Sequence, residues 1–194
     1  MVIKKAEFIK SAAAKGGFIV SDLPEIVIAG KSNVGKSSFI NFLTNNGKLV
    51  KTSNTPGRTR LVNYFLINES FFLVDLPGYG YAKGAKTEIE GWGRLMEDYF
   101  TFSEKIKKVI FLVDCRHLPT KDDIQFSEYL NYYRLPFAVI ATKSDKLSRA
   151  QLNKNLTDIA NALKIGRDNI FATSSLKKLG REKVFEVIEN ALNV

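Results

Sequence analysis

The segment from Gly30 to Ser37, GKSNVGKS, matches the phosphate-binding pattern G-x-x-x-x-G-K-[ST] at every fixed position. Gly30 and Gly35 let the backbone curve closely around phosphate oxygens, and the N-terminus of a following helix adds partial positive charge. The Lys36 ammonium can reach the β- and γ-phosphates, while the Ser37 hydroxyl suits Mg²⁺. The segment therefore predicts a nucleoside triphosphate site formed by Gly30, Lys31, Ser32, Asn33, Val34, Gly35, Lys36 and Ser37.

A second polar segment, TKSD, ends the apolar run FAVIAT (137–142) and continues to residue 145. The Asp145 carboxylate can accept both the ring N–H and the exocyclic amine of guanine. Adenine lacks this pair of donors, and a buried carboxylate left unpaired is costly. The methylene stem of Lys143 can lie along the purine face. Combined with the phosphate loop, the segment predicts guanine as the base, bound by Thr142, Lys143, Ser144 and Asp145.

The motif LVDLPGYG lies between these two segments and places Asp75 at the end of an apolar run. A carboxylate there suits contact with Mg²⁺ through water, and the Gly78 N–H can approach a γ-phosphate. Upstream, NTPGRTR contains Thr55 and Thr59, either of which could supply a second hydroxyl to Mg²⁺. Threonines are common in polar loops, so this inference depends on where the two threonines lie and on the neighbouring motifs.

Six short, β-branched apolar runs predict the strands that position these segments, several of them buried on both faces. They are IVIA (26–29), LVNYFLI (61–67), FFLVD (71–75), VIFLVD (109–114), FAVIAT (137–142) and NIFAT (169–173). Only the residues NES separate the second run from the third. So short a link favours an antiparallel hairpin, because a parallel crossover needs a dozen or more residues.

Helical patterns occupy most of the longer links. Helices are expected from near Val34, from about Glu88 to Phe102, after LPT (118–120), after the capping box SRAQ (148–151) and over residues 181–192. The alternation predicts an α/β fold, a three-layer sandwich with a mostly parallel sheet of about six strands including one antiparallel strand. Residues 1–20 are expected to form an N-terminal strand or arm, and residues 21–194 a single domain.

Bulk composition restricts the classes of protein and partner. The chain has 194 residues, one cysteine and a net charge of +9. Cys115 alone cannot form an intramolecular disulfide, and neither a signal peptide nor an apolar run of roughly 18 residues occurs. We expect a cytoplasmic monomer without membrane insertion. The positive charge favours a polyanionic partner, with a solvated basic surface as the alternative.

Taken together, these motifs resemble the translation-factor-related P-loop GTPases, which contain a G domain. More narrowly, the chain resembles the EngB family of ribosome-biogenesis GTPases, also called YihA or YsxC. The resemblance covers nearly the whole chain, and TPGRT followed by DLPGYGYA is its most specific part. The other matching motifs are GKSNVGKSSFIN, TSNTPGRTR, GW, LVDCRH, ATKSDKL and ATSS, in the order of the family.

The resemblance implies Ser37 and Thr59 as Mg²⁺ ligands, two nucleotide-sensing switches and a final guanine-contacting loop. The first switch comprises Gly57, Arg58, Thr59, Arg60 and Leu61, the second comprises Asp75, Leu76, Pro77 and Gly78, and the guanine loop comprises Thr173, Ser174 and Ser175. Arg60 departs from the glutamine expected in many members. The implied function is GTP hydrolysis as a switch in assembly of the bacterial large ribosomal subunit, with effects on cell division.

Basic residues in and near the first switch, Lys48, Lys51, Arg58 and Arg60, could couple an rRNA contact to the nucleotide state. The alternative is that Arg58 and Arg60 serve the nucleotide or face water. A second basic cluster, Lys177, Lys178, Arg181 and Lys183, could equally be the solvated start of a helix.

The residue after the glycine of D-x-x-G is a water-orienting glutamine in many GTPases, and here it is Tyr79. A phenol lacks the amide's paired carbonyl and N–H, so slow intrinsic hydrolysis is predicted. Asn33 occupies the phosphate-loop position that contacts potassium in related GTPases, which suggests K⁺ as a source of positive charge. The alternative is that Asn33 only shapes the turn. The residues predicted to act in hydrolysis are Lys36, Thr59, Gly78 and Asn33.

Three other functions remain possible on the sequence. A phosphotransferase shares the phosphate loop but would need an acceptor pocket and an arginine-rich lid. A GTP-gated interaction module at the division apparatus would keep every nucleotide residue and change only the partner. A tRNA-modification or membrane-associated GTPase would usually carry further domains.

Overall fold

The computed structural model describes residues 1–50, 61–80 and 86–193, with the backbone alone for residues 86–90. Within these residues the strands are β1 (Ala6–Ala12), β2 (Glu25–Gly30), β3 (Val62–Ile67), β4 (Phe71–Asp75), β5 (Ile106–Asp114), β6 (Phe137–Thr142) and β7 (Ile170–Ala172). The helices are α1 (Lys36–Thr44), α2 (Lys86–Phe102), α3 (Lys121–Tyr132), α4 (Arg149–Ala162) and α5 (Arg181–Leu192).

All seven of these strands form one sheet in the order β1-β3-β4-β2-β5-β6-β7. Strand β3 is antiparallel to both of its neighbours, and the remaining pairs are parallel. The mostly parallel sheet with one antiparallel strand is therefore confirmed. The seventh strand is β1, which lies within the segment expected to form an N-terminal strand or arm. It is an edge strand whose residues are mainly exposed, and it lacks the apolar run of a buried strand.

The predicted hairpin joins β3 to β4. Asn68 and Glu69 both have positive φ angles, of 48° and 57°, and the Ser70 N–H donates to the Ile67 carbonyl oxygen at 2.9 Å. Two consecutive left-handed residues match the twist of an antiparallel pair, which explains the tight connection.

Helices cover both faces of the sheet, which confirms the three-layer sandwich. Alternate residues of the central strands face opposite sides: Val27 and Phe111 join a core with α2, α3 and α4, while Ile28 and Leu112 join a core with α1 and α5. β2 is buried along its whole length. Such two-sided burial explains why the central strands have continuous apolar sequences.

Local signals fix most helix ends, and one predicted helix start needs correction. The capping box at Ser148 and Gln151 begins α4 as predicted, and Thr120 with Asp123 forms another at α3. α1 begins at Lys36, two residues after the predicted start at Val34. Gly35 has a φ angle of 111°, which a helix cannot contain, so the loop must end before the helix begins.

The N-terminal segment pairs with the hairpin through β1 and through backbone contacts to Asn68. The Asn68 side-chain oxygen accepts hydrogen bonds from the N–H groups of Lys4 and Lys5. The division of the chain at residue 20 stays a prediction. Among the described residues, no helix combines the length and the apolar character that a bilayer crossing requires.

A carboxyl group is buried at the amino end of β2, the end opposite the glycine loop. Glu25 Oε2 accepts hydrogen bonds from the Tyr99 hydroxyl at 2.6 Å and from the Ser103 hydroxyl at 2.7 Å. Burial raises the pKa of Glu25, although both hydrogen bonds act in the opposite direction. The folded protein therefore holds this proton more tightly than the unfolded chain does.

A Glu25→Gln substitution should remove this pH dependence. For a carboxyl group with a raised folded pKa, the stabilising contribution is complete below the unfolded pKa, about 4.3, and is lost as the pH rises through the folded pKa. The glutamine oxygen can still accept from both hydroxyls but does not titrate. Urea unfolding at a series of pH values should show the variant gaining stability relative to wild type as the pH rises above the unfolded pKa of about 4.3. A stability difference between variant and wild type that stays constant with pH would contradict this prediction. So would the same trend in the control Glu104→Gln at an exposed position.

Candidate nucleotide-binding site

The predicted site segments meet at one edge of the sheet, outside the carboxyl ends of the parallel strands. Residues 30–37 follow β2, residues 75–80 end and follow β4, residues 142–145 end and follow β6, and residues 173–175 follow β7. Strand β2 lies between β4 and β5, where the chain switches from one half of the sheet to the other. Ligands of open α/β sheets bind in the crevice at such a point.

Two left-handed residues shape the glycine loop. Asn33 has a φ angle of 64° and Gly35 one of 111°. The Val34 N–H donates to the Lys31 carbonyl oxygen, and the first hydrogen bond of α1 joins the Phe39 N–H to the Gly35 carbonyl oxygen. The earlier N–H groups of α1, including those of Lys36 and Ser37, therefore have no partner within the helix. They form the anion-binding end of α1.

Lys36 and Asp75 place opposite charges beside this helix end. Burial lowers the pKa of Lys36, and the Asp75 carboxylate opposes that effect. Burial raises the pKa of Asp75 to about 6, opposed by Lys36 and by a hydrogen bond from Asn63. The Lys36 ammonium lies 3.4 Å from the Gly30 carbonyl oxygen. A phosphate group near Lys36 would favour the ionised form, which burial disfavours.

The segment Leu76 to Gly80 packs directly on the glycine loop. The Ser32 N–H donates to the Tyr79 carbonyl oxygen at 2.9 Å, and the Ser32 hydroxyl donates to the Gly78 carbonyl oxygen at 3.3 Å. A Cβ atom at Gly78 would lie 2.7 Å from the Lys36 nitrogen and 3.0 Å from Ser32 Cα. Alanine at residue 78 would therefore require the Lys36 ammonium and the Ser32 backbone to move, and the backbone of residue 78 lies beside the lysine that should bind phosphate.

The predicted base-binding residues surround a cleft of about 770 Å³, lined by Gly35, Lys143, Asp145, Ser175 and neighbouring residues. The Asp145 side chain is 7% exposed. Its Oδ1 accepts a 2.6 Å hydrogen bond from the Ser174 hydroxyl, which lowers the pKa of Asp145. The carboxylate is thus ionised and held in one orientation, as an acceptor for two N–H donors must be.

The remaining members of the two base loops tie them together. The Ser144 N–H donates to the Thr173 carbonyl oxygen at 3.1 Å, and the buried Thr142 hydroxyl donates to the Val34 carbonyl oxygen at 2.9 Å. These bonds join the ends of β6 and β7 to each other and to the glycine loop. The phosphate and base segments therefore form one connected framework.

Sequence reasoning missed Asp114, the last residue of β5. The Lys143 ammonium donates to Asp114 Oδ2 at 2.9 Å and to the Asn33 carbonyl oxygen at 3.0 Å. Burial opposes ionisation of Asp114, but hydrogen bonds from Arg116 and Lys143 outweigh it and hold the pKa of Asp114 well below its usual range. Asp114 fixes Lys143 between the loops. Its position at the end of the apolar run VIFLVD (109–114) was the signal available in the sequence.

Tyr79 lies away from the cleft, in the core between α2 and α3. Its hydroxyl donates to Asp123 Oδ1 at 2.7 Å, and its ring contacts Trp92 and Phe126. Burial and the nearby Asp123 carboxylate raise the pKa of Tyr79, so the phenol keeps its proton.

Several predicted residues lie outside the described part of the chain. These are Thr55, Gly57, Arg58, Thr59 and Arg60, together with Lys51. Leu61 is described as a half-buried residue directly before β3, and Lys48 is exposed. The predicted Mg²⁺ ligand Thr59 and the rest of the first switch therefore stay predictions.

The fold and the glycine loop define a P-loop nucleotide-binding domain of the GTPase class. Comparison with known families supports that class: residues 25–143 match the model of the 50S ribosome-binding GTPase family. The chain is 52% identical over 194 residues to a probable GTP-binding protein EngB of Clostridium kluyveri, covering 100% of this chain and 98% of the relative. It is 48% identical over 189 residues to one of Pelotomaculum thermopropionicum, covering 97% and 96%.

The chain belongs to the EngB family of GTP-binding proteins, within the 50S ribosome-binding GTPases. Solved structures share its fold. A probable GTP-binding protein engB superposes with a TM-score of 0.70 at 23% identity, covering 87% of this chain and 98% of that one. Era of Aquifex aeolicus bound to GDP and AlF₄⁻ gives 0.68 at 23% identity, covering 89% and 57%.

An Asp145→Asn substitution should change the base that is preferred. The amide keeps one acceptor for the Ser174 hydroxyl but cannot accept from both guanine donors, so affinity for GDP should fall by about 100-fold or more. Its N–H can instead donate to the C2 carbonyl of xanthine, so affinity for xanthosine diphosphate should rise. Competition against a fluorescent nucleotide measures both. Retained GDP affinity, or an equal loss in the exposed control Asp168→Asn, would argue against the assignment.

Proposed function

We propose that this chain hydrolyses GTP as a Mg²⁺-dependent molecular switch in assembly of the bacterial large ribosomal subunit, with effects on cell division. The observation that carries the proposal is the convergence of the glycine loop, the Gly78 segment and the Asp145 loop at one edge of the sheet. In this arrangement Lys36 neutralises the phosphates, Asp145 selects guanine and the Gly78 backbone senses the third phosphate. The protein acts in the cytoplasm as a monomer.

The residues present fit a magnesium ion. Asp75 Oδ1 is buried without a hydrogen-bond partner among the described residues, and Ser37 is the second residue of α1, next to Lys36. Mg²⁺ prefers oxygen ligands, keeps several waters and commonly shares phosphate oxygens. Ser37 would bind it directly with Thr59, and Asp75 would bind through water. When bound, the ion neutralises charge on the phosphate oxygens.

Intrinsic hydrolysis should be slow because the described residues place no amide where a water-orienting glutamine normally lies. Tyr79 occupies that sequence position, and its side chain is committed to the core by Asp123, Trp92 and Phe126. A slow reaction suits a timer, in which GTP orders the switches, a partner binds, and hydrolysis releases it.

Potassium would supply part of the missing positive charge through Asn33. The residue is exposed, and its left-handed backbone is a conformation that asparagine adopts more readily than most residues. An Asn33 side chain that only shapes the turn would be replaceable by glycine without loss of rate.

An Asn33→Gly substitution separates the two roles. Glycine keeps the left-handed conformation and the carbonyl that accepts from Lys143, and removes only the amide. We expect wild type to hydrolyse GTP several-fold faster in KCl than in NaCl at equal ionic strength, roughly a 1 kcal/mol effect on the barrier. The variant should lose this difference and keep its affinity for GDP. Equal wild-type rates in the two salts would end the potassium hypothesis.

The proposed partner is the large ribosomal subunit or its precursor, through rRNA and ribosomal proteins. Support for the large subunit comes from the family description as 50S ribosome-binding. Support for an RNA partner comes from the net charge of +9 and from a related fold, Era, solved with nucleotides 1506–1542 of 16S ribosomal RNA. Polyanion binding by clustered lysine and arginine is salt-dependent and strong at low salt. The basic residues of the first switch would link such contact to bound nucleotide.

Co-sedimentation with purified large subunits at fixed salt tests the partner. Binding should be stronger with a non-hydrolysable GTP analogue than with GDP. The double substitution Arg58→Glu and Arg60→Glu should reduce binding about tenfold or more by replacing phosphate contacts with repulsion.

The matched control reverses two exposed lysines in and after α4, Lys154→Glu and Lys164→Glu. It changes net charge equally and should bind nearly as wild type. No binding in either nucleotide state, with nucleotide affinity intact, would contradict the ribosomal role. That result would favour a GTP-gated module at the division apparatus.

A further inference from the structure

Two side chains from the helical layer hold the segment that contains Gly78. The Tyr79 hydroxyl donates to Asp123 of α3 at 2.7 Å. The indole N–H of Trp92 in α2 donates to the Pro77 carbonyl oxygen at 2.9 Å. Tyr79 is 5% exposed and Asp123 is 6% exposed, so the bond between them is shielded from water. The segment is thus attached on its outer side to both helices.

The same segment is attached to the glycine loop on its inner side. Ser32 bonds to the carbonyl oxygens of Gly78 and Tyr79, and Lys31 pairs with Tyr79 as an isolated parallel bridge. Residue 78 therefore lies between the phosphate loop and the helices. A displacement of Tyr79 on the outer side would displace the Gly78 backbone on the inner side.

Asp123 also caps α3, and this fixes the carboxylate to which Tyr79 is bound. Its Oδ2 accepts from the Thr120 N–H and hydroxyl, both at 2.7 Å, and so completes the capping box of α3. The phosphate loop reaches the same point, because the Lys31 ammonium lies 3.3 Å from the Thr120 hydroxyl oxygen. The two carboxylate oxygens thus join the start of α3 to Tyr79, and both oxygens are occupied by hydrogen bonds.

We propose that Tyr79 and Asp123 are positioning residues that hold the Gly78 backbone for the third phosphate and so set the affinity for GTP relative to GDP. This inference rests on the proposed role of Gly78 as the sensor of that phosphate. GDP lacks the third phosphate. Loss of the outer attachment therefore weakens binding of the triphosphate selectively, whereas a general packing defect weakens both nucleotides.

The test is a Tyr79→Phe substitution, which keeps the ring against Trp92 and Phe126 and removes only the hydroxyl. Affinity for a non-hydrolysable GTP analogue should fall about five- to tenfold, the lower range of typical coupling between sites, while affinity for GDP stays within about twofold. Titration calorimetry on the full chain with Mg²⁺ measures both.

The chain offers a matched control in Tyr129→Phe. Tyr129 belongs to the same aromatic cluster and contacts Phe126, but its buried hydroxyl has no hydrogen-bond partner among the described residues. Its removal should leave the ratio of the two affinities unchanged. Asp123→Asn is a second variant: its amide oxygen can still accept from Thr120, and its NH2 group can donate to the Tyr79 hydroxyl, so the ratio should fall by less than in Tyr79→Phe.

Trp92 supplies an independent readout because it is the only tryptophan in the chain. Its ring lies 5.8 Å from the Tyr79 ring, and it bonds to the Gly78 segment. Fluorescence of wild type should differ between GDP and the GTP analogue. This difference should shrink in Tyr79→Phe and persist in Tyr129→Phe at saturating nucleotide.

Three results would overturn the inference. One is an unchanged affinity ratio in Tyr79→Phe, and another is an equal loss for both nucleotides, which would mark a purely structural role. The third is a Gly78→Ala variant with a wild-type ratio. That last result would also remove the sensing role proposed for Gly78, whereas the first two would leave it intact. Binding of neither nucleotide by wild type would reject the proposed function itself.

Discussion

The close contact between Gly78 and the glycine loop is the constraint on which the rest of the site depends. Parallel pairing of β2 with β4, with Ile28 opposite Asp75, brings the carboxyl ends of the two strands together. The chain then continues from each strand into a loop, and the two loops meet where the Ser32 N–H donates to the Tyr79 carbonyl oxygen and the Ser32 hydroxyl donates to the Gly78 carbonyl oxygen. A Cβ atom at residue 78 would lie 2.7 Å from the Lys36 nitrogen, so the ammonium would have to move. The sheet register thus determines how near the Gly78 backbone lies to the Lys36 ammonium.

The two lysines of the site are in contrasting electrostatic situations. Lys143 already has two strong acceptors, the Asp114 carboxylate and the Asn33 carbonyl, so its position is fixed before any ligand arrives. Lys36 has a long contact to the Gly30 carbonyl, and burial lowers its pKa. A buried cation with weak compensation is stabilised by an anion. The base side of the cleft is therefore preorganised by the protein alone, whereas the phosphate side gains most from the ligand.

The parts of this arrangement that follow local rules could be predicted from the sequence. Continuous apolar runs predicted the central strands, the short link NES predicted the hairpin, and the capping box at Ser148 predicted the start of α4. β1 lacks such a signal, because an exposed edge strand has no buried face to encode. α1 starts later than its apolar pattern suggests, since the left-handed Gly35 ends the loop. The roles of Asp114 and Asp123 depend on strand order and helix packing, which bring residues distant in sequence into contact.

Tyr79 follows the glycine of D-x-x-G, where many GTPases have a water-orienting glutamine, but its side chain is buried in the core. A glutamine at this position must leave the core to orient water, and its segment must then be free to move. Here the ring fills the space between Trp92 and Phe126, and the hydroxyl is bound to a carboxylate that also caps α3. A side chain held in this way cannot reach the nucleotide, but it can transmit the position of Gly78 to α2 and α3. Burial of Tyr79 thus removes its side chain from the place where many GTPases position a water-orienting glutamine, and it joins the Gly78 segment to α2 and α3.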